Sequence, residues 1–323
     1  MIKLVEIPAY VSLNQYEESI LRMTDRLMSF KQVLSVYQMG SISAPGISDI
    51  DLVIVFKDGE SCDFNPLANI TQQEKYLFVH SLFGLNETQF INSNDFLLHV
   101  KYNLRAGKEI IQKPGTISAE QKKELNNQIA LEYLVKNFIT ISIQQKLNVL
   151  KLHKLLLEAN ALKYDFELLN ITDGRLYELV YELIDWRKKW FDSKPSDQKI
   201  NLWFQEYCSQ HFTLLQRLFH THALYSPLPA PIKLNRNVYL GQSNNFALKK
   251  SGVALPMVYG VKPITIFKIA NRLNSFKLLL PLKFPGEESI QHKRFSFLQD
   301  LRHYNTKHLP HFMPLVSVLP FIK

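Results

Sequence analysis

The chain contains little cysteine and no long apolar run. Among its 323 residues the only cysteines are Cys62 and Cys208, which lie far apart and have no CxxC spacing. This spacing excludes a zinc ribbon and a disulfide framework, and it indicates thiols in a reducing compartment. No segment approaches the roughly 20 continuous apolar residues that span a bilayer, and residues 1–6 do not resemble a secretory signal. We therefore expect a cytoplasmic protein without a membrane span.

Low-complexity sequence is absent as well. Hydrophobic residues make up 46 % of the chain and charged residues 21 %, so general disorder is not expected. A chain of this length has room for two or three domains, each with its own core.

The net charge of +9 is unevenly distributed. Residues 216–323 contain 15 Lys and Arg against 3 Asp and Glu, whereas residues 1–215 contain 23 against 26. A local excess of this kind predicts an anionic partner for the last third, such as nucleic acid, a nucleotide or a membrane surface, although solvated lysines are the simpler interpretation. We expect a nucleic acid or another polyanion in the basic region 233–323. Its densest basic points are Lys249-Lys250 and His292-Lys293-Arg294.

The first part of the chain predicts a mixture of helices and strands. A capping-box pattern begins at Ser12, and apolar residues follow it at helical spacing. Runs rich in β-forming residues alternate with these helical patterns. We expect helices over 13–31 and 71–84, strands over 33–39, 49–56 and 107–111, and a strand or the start of a helix over 96–100.

Helical periodicity dominates the next hundred residues. A second capping-box pattern begins at Ser118, and the Pro-rich stretch 226–231 is typical of a linker. Beyond it, short apolar runs broken by Gly, Pro and Asn predict a mixed or β-rich module. We expect an α+β protein with an N-terminal domain over 1–116, a helical domain over 117–224 and a basic C-terminal module over 225–323.

One short segment contains the residues that suggest chemistry. Gly40 and Ser41 follow a predicted strand, and after seven intervening residues come Asp49 and Asp51, before the apolar run 52–56. Glycine allows a bulky ligand to approach the backbone, and consecutive N–H groups after such a turn can bind phosphate. Two aspartates two residues apart on a strand point to the same face, and burying both is costly without a cation between them. Oxygen ligands beside a phosphate site favour Mg²⁺.

This arrangement resembles the signature of the polymerase-beta-like nucleotidyltransferase superfamily. The resemblance is close over residues 36–56 and extends as an architecture over about residues 13–112. It implies that 1–116 is a nucleotidyltransferase domain with a mixed sheet. Asp49 and Asp51 would be the catalytic residues and would hold two Mg²⁺ ions. Gly40 and Ser41 would bind the triphosphate. Ser43 and Ser48 are in the same loop and would add hydroxyl contacts to the nucleotide.

The family usually has a third carboxylate on a later strand. No apolar-Asp-apolar strand is evident between residues 80 and 105, and Glu87 and Asp95 are the candidates there. For both, a loop acid or a helix cap is the simpler interpretation. Without a third acid, the site would use one metal, take a base from the helical domain, or be inactive.

The expected function is transfer of a nucleoside monophosphate from an NTP, with ATP favoured, to an acceptor, with release of pyrophosphate. A nucleotidyltransferase domain followed by helices also resembles the antibiotic adenylyltransferases, which favours a small acceptor. The basic last third favours a nucleic acid instead. The alternative is a catalytically inactive relative that binds nucleotide or nucleic acid.

Overall fold

A computed structural model describes residues 2–97, 101–253, 255, 260–315, 319 and 321. The fold is α+β, as expected: an N-terminal mixed sheet with helices, a central helical bundle, and a C-terminal mixed sheet with helices. None of the helices described in these ranges is both long and apolar enough to cross a bilayer.

A four-stranded sheet forms the centre of the N-terminal part. Before it lie strand β1 (Lys3–Val5) and helix α1 (Leu13–Met28), which begins where the Ser12 hydroxyl accepts a hydrogen bond from the Gln15 amide. The sheet strands are β2 (Val33–Met39), β3 (Asp51–Phe56), β4 (Phe83–Asn86) and β5 (Tyr102–Gly107). Their order is β4-β3-β2-β5, and only the β3–β4 pair is parallel. The residues of β3 after Asp51 are completely buried, as the apolar run predicted.

Several predicted boundaries in this part are wrong. Helix α2 (Gln72–Leu77) is shorter than the predicted 71–84, because the segment that follows pairs with β3 as β4 and buries Leu82 and Leu85. The predicted strand 107–111 lies too late, since β5 ends at Gly107. Strand β3 begins at Asp51, and Asp49 precedes it. Of the segment 96–100, residues 98–100 lie outside the described residues.

The predicted helical region is confirmed. After α3 (Glu87–Ile91), the bundle consists of α4 (Ala119–Lys146), strand β6 (Val149–Lys151), α5 (Leu152–Leu168), α6 (Arg175–Lys189) and α7 (Asp197–Thr221). Apolar side chains at helical spacing meet in its centre, including Leu134, Val180, Leu183, Phe204 and Leu215. Strand β6 pairs in parallel with β1, so the start of the chain is attached to the bundle.

The basic C-terminal part is a second mixed sheet with two helices. Its elements are β7 (Leu224–Tyr225), β8 (Ile232–Asn235), β9 (Val238–Gln242), β10 (Ala247–Gly252), α8 (Pro263–Arg272), β11 (Asn274–Leu280), β12 (Leu282–Lys283) and α9 (Ile290–His308). The larger sheet has the order β10-β11-β9-β8. One of its faces carries Leu240 and Leu278, which belong to the same hydrophobic cluster as Phe138 of α4.

The segment after α9 returns to the N-terminal sheet. Met313 donates its amide to the Leu82 carbonyl at 2.8 Å and accepts from the Gly84 amide at 3.0 Å. Phe312 is 4 % exposed and packs edge-on against Phe56, with ring centroids 5.0 Å apart. Residues 312 and 313 therefore pack on the N-terminal sheet. The division of the chain into three domains stays a prediction.

Candidate metal and nucleotide site

The connection between β2 and β3 contains the signature residues. Met39 pairs with Asp51, so Gly40 and Ser41 begin one residue beyond that pair. Gly40 has φ +73°, and a Cβ added there would meet no atom within 4 Å. A positive φ favours glycine, and the open space above it leaves room for a ligand. The Gly40 amide itself donates to the Lys101 carbonyl at 3.1 Å, so the turn leaves room for a phosphate without offering that amide.

Three side chains form a candidate metal site beside this turn. One ligand atom from each of Asp49, Asp51 and His80 lies within 4.8 Å of the others. Asp51 opens β3, and Asp49 lies just before it, with the intervening Ile50 amide bonded to the Leu77 carbonyl at 3.0 Å. His80 lies in the connection between α2 and β4. Because β4 is parallel to β3, the connection that precedes β4 lies at the end of the sheet where β3 begins.

The His80 ring is oriented by contacts at both nitrogens. Its Nδ1 lies 2.8 Å from the Ser81 carbonyl, and its Nε2 lies 2.8 Å from Asp51 Oδ1. A carbonyl accepts only from N–H, so Nδ1 carries a proton and Nε2 is available to a metal in the neutral ring. Asp51 Oδ1 is buried, and no donor among the described residues is aligned with it as a hydrogen bond, despite the close Nε2.

The charges of the three groups are coupled. Burial, followed by the neighbouring charge of Asp51, raises the pKa of Asp49 to about 6. Burial alone would lower the pKa of His80, but its contact with Asp51 and its bond to Ser81 outweigh burial and raise it. Without a metal ion, a proton on His80 and, more weakly, the charge of Arg187 are therefore what offset the negative charge of Asp49.

The donor set fits a divalent cation. Two carboxylates and one imidazole nitrogen converge, with one ligand atom of each within 4.8 Å of the others. Carboxylate oxygens suit Mg²⁺ and Mn²⁺, whereas imidazole suits transition metals and Zn²⁺ better than Mg²⁺. Asp49, Asp51 and His80 are thus the residues that would hold an ion here.

Neither candidate for a third carboxylate belongs to this group. Glu87 follows Asn86, which pairs with Phe56 at the other end of β3, roughly 16 Å from Asp51 at the usual rise per residue. Its carboxylate lies 3.5 Å from Lys108 Nζ. Asp95 accepts hydrogen bonds from the amide and hydroxyl of Thr116 at 2.8 and 2.7 Å, as a loop cap does.

The loop that contains Ser43 and Ser48 is held by the helical bundle. Arg187 of α6 is 6 % exposed and donates to Ser48 Oγ at 2.8 Å and to Ser43 Oγ at 3.4 Å. Its other amino group donates to the carbonyls of Leu156 and Leu157 on α5. The Ser48 hydroxyl also accepts from the Ala44 amide at 3.1 Å. Contact of Ser43 or Ser48 with a nucleotide stays a prediction.

Two more residues of α5 contact the same loop. Asn160 donates to Ser43 Oγ at 3.3 Å, and His153 Nε2 lies 3.0 Å from the Ile47 carbonyl. Burial lowers the pKa of Arg187, and the negative charge of Asp49 opposes that shift. The loop that leads into the metal site is therefore positioned by the helical region.

His80 and Arg187 are the residues that sequence reasoning missed. His80 has no local motif and reaches Asp51 only because β4 folds back beside β3. Arg187 lies in a Trp-Arg-Lys-Lys-Trp segment whose tryptophans are buried in the bundle. No signal in the sequence separates Arg187 from the lysines that follow it.

Compared with protein-family models, with curated proteins and with solved structures, the chain gives no match in any of the three. The supporting observations are therefore internal to the molecule: an acidic cluster with a histidine beside an early mixed sheet. This arrangement is compatible with a polymerase-beta-like fold and does not by itself prove one.

Proposed function

We propose that the protein is a nucleotidyltransferase that transfers a nucleoside monophosphate from an NTP to an acceptor and depends on a divalent cation. The observation that carries the proposal is the convergence of Asp49, Asp51 and His80 within 4.8 Å, next to the open turn at Gly40. A cation held there would neutralise the phosphates of a bound NTP and the charge that develops on pyrophosphate.

The residues of the chain have separate roles in this proposal. Asp49, Asp51 and His80 hold the cation, the open turn at Gly40 makes room for the triphosphate, the Ser41 amide binds it, and Arg187 positions the loop between them. In the reaction, an acceptor oxygen attacks the α-phosphorus, and the bond from that phosphorus to the bridging oxygen of pyrophosphate breaks. The acceptor gives up its proton to a base or to water. Positioning and electrostatics supply most of the rate enhancement in such a transfer.

A catalytically silent nucleotide-binding protein is the second candidate. It is favoured by one observation, namely that His80 and not a carboxylate is the third member of the group found among the described residues. A protein of this kind would bind NTP without releasing pyrophosphate.

Two measurements on the parent chain and on Asp51→Asn test the proposal. Pyrophosphate release is followed with each NTP in the presence of Mg²⁺ or Mn²⁺, and NTP affinity is measured by calorimetry. Asp25→Asn is the control, because Asp25 is exposed on α1. We expect Asp51→Asn to lower release at least about 100-fold, since it removes a metal ligand.

The outcomes separate the candidates. NTP binding that needs the metal and Asp51, without pyrophosphate release, would establish the silent protein. Measurable pyrophosphate release at the same rate in the parent and in Asp51→Asn would contradict both candidates.

A further inference from the structure

A long segment of the chain contains no acidic residue. Residues 207–286 have no Asp or Glu, whereas they contain ten Lys and Arg. This segment includes all four strands of the C-terminal sheet, β8 to β11. The positive charge of the sheet is therefore not offset from within its own sequence.

The strand register places three lysines and a tyrosine in one row. Lys249 of β10 is directly opposite Lys277 of β11. Lys277 is opposite Tyr239 of β9, and Tyr239 is opposite Lys233 of β8. Residues that are directly opposite lie on the same face of a sheet, so this row crosses all four strands over about 14 Å. We call Lys249, Lys277, Tyr239 and Lys233 the lysine row.

The lysine row faces solvent. Its lysines are exposed and Tyr239 is half-buried, whereas the neighbours Leu278 and Leu240 point to the opposite face and are completely buried. None of the ion pairs found among the described residues includes a lysine of the row.

Two further features of this face concern its charge and its surface. Two lysines directly opposite each other, as Lys249 and Lys277 are, destabilise a sheet. Beside the row, Gly241 has no side chain, and a Cβ there would lie 2.8 Å from a Leu279 methyl and 3.0 Å from Lys277 Cε. The side chains of Leu279 and Lys277 therefore lie over Gly241, next to the repulsive lysine pair.

We propose that the lysine row binds a single-stranded nucleic acid, whose phosphates meet the lysines while a base stacks on Tyr239. Single strands are bound where a basic surface follows the backbone and aromatic rings receive the bases. Tyr239, which lies between Lys277 and Lys233 on the solvent-facing side of the sheet, supplies the ring beside the charges. This inference goes beyond the proposed transfer reaction and does not depend on it.

Two of the other basic candidates of the region, Lys250 and Arg294, have partners inside the protein. Lys250 lies on the opposite face from the row and donates to Gln145 of α4 at 3.3 Å. Arg294 is 2 % exposed and pairs with the buried Glu132 at 2.8 Å. Of the basic points predicted from the sequence, Arg294 is therefore buried and paired, whereas Lys249 belongs to the exposed lysine row.

The test uses the full chain and fluorescently labelled 12-residue oligouridylate and oligothymidylate. The row variant is Lys233→Gln/Lys249→Gln/Lys277→Gln. The control variant is Lys31→Gln/Lys57→Gln/Lys122→Gln, which removes the same charge from exposed lysines outside the sheet. We expect the row variant to bind at least about tenfold more weakly, and the slope of log K against log salt to fall by about 2, because three phosphate contacts are lost at about 0.7 each.

Tyr239 is tested separately. Tyr239→Phe keeps the ring and should bind as the parent does, whereas Tyr239→Ala should bind at least about fivefold more weakly through lost stacking. Circular dichroism and thermal melting confirm that each variant is folded. A folded Tyr239→Phe variant that loses binding would contradict the stacking role.

Other results would overturn the proposal. If the row and control variants bound the oligonucleotides equally weakly, binding would depend on the net charge of the protein and not on the lysine row. Binding to vesicles of phosphatidylserine and phosphatidylcholine, or to polyglutamate, without binding to either oligonucleotide would assign the row to a membrane or to an acidic protein. Asp51→Asn should bind the oligonucleotides as the parent does. Oligonucleotide binding therefore tests the lysine row even if the protein catalyses no nucleotidyl transfer.

Discussion

At the scale of single residues, His80 changes the chemistry expected of the candidate metal site. Two aspartates alone offer only oxygen, and oxygen ligands suit Mg²⁺. The Nε2 atom of His80 lies 2.8 Å from Asp51 Oδ1, and its Nδ1 proton is engaged by the Ser81 carbonyl. An imidazole fixed in this way adds affinity for Mn²⁺ or Zn²⁺ relative to Mg²⁺.

Replacing this imidazole with a carboxylate should therefore change metal preference. We expect His80→Asp to lower the ratio of Mn²⁺ to Mg²⁺ affinity by about tenfold, a typical effect of altering a site's ligand environment. Titration calorimetry with each ion measures the ratio. His303→Asp, at an exposed position on α9, is the matched control. An unchanged ratio in His80→Asp would show that His80 is not a ligand.

Asp49 gives the metal-free protein a pH-dependent stability. Its pKa is raised by burial from 3.8 to about 6 in the folded chain, so the folded state binds this proton more tightly than the unfolded state does. The stability contributed by the proton is present below about pH 4 and is lost as pH rises through about 6.

Asp49→Asn should remove the loss of stability that ionisation of Asp49 causes as pH rises. In EDTA at pH 7.5, we expect its free energy of unfolding to exceed that of the parent by about 1–3 kcal/mol. The difference should shrink at pH 4, where the parent carboxyl is protonated. Urea unfolding at both values measures it, and a difference independent of pH would contradict the assignment.

At the scale of elements, helix α6 is joined to the loop between β2 and β3 through one side chain. Arg187 donates to two serine hydroxyls of that loop and to two carbonyls of α5. Removing a buried donor leaves such partners unsatisfied, which costs more than the net worth of the bonds themselves.

We expect Arg187→Met to lower the free energy of unfolding by about 2–4 kcal/mol. The exposed Arg217→Met variant on α7 should change it by less than about 0.5 kcal/mol. Chemical unfolding followed by circular dichroism measures both. Equal stability of the two variants would mean that the contacts of Arg187 contribute nothing to the fold.

The elements also show what sequence patterns could predict. Capping boxes and helical spacing predicted α1 and the bundle helices closely, because those signals are local. The predicted helix 71–84 failed because the choice between helix and strand for residues 83–86 was decided by pairing with β3. Asp49 and Asp51 could be predicted as neighbours because they are two residues apart in the sequence. His80 could not, because only the pairing of β4 with β3 brings it to Asp51.

At the scale of the whole molecule, the N-terminal sheet depends on residues near the other end of the sequence. Phe312 is buried against Phe56, and Met313 bonds to both sides of Phe83 in β4. Phe312→Ala should therefore lower the free energy of unfolding by about 3–5 kcal/mol.

Its control is Phe284→Ala, because Phe284 is 65 % exposed. That variant should stay within about 0.5 kcal/mol of the parent. Hydrogen exchange should also show faster exchange of the β4 amides in Phe312→Ala only. Unchanged protection of β4 would mean that the sheet does not depend on this contact.

The return of residues 312 and 313 to β4 has a consequence for synthesis. A ribosome makes the N-terminal sheet first, at about 5–20 residues per second. The ring that covers Phe56 is added some 250 residues later, when residue 312 has been translated. Because the sheet is complete once β5 has been made at residue 107, one apolar side of the nascent sheet stays uncovered for at least about 10 seconds at those rates. During that interval, chaperones that recognise exposed apolar segments have access to β3 and β4.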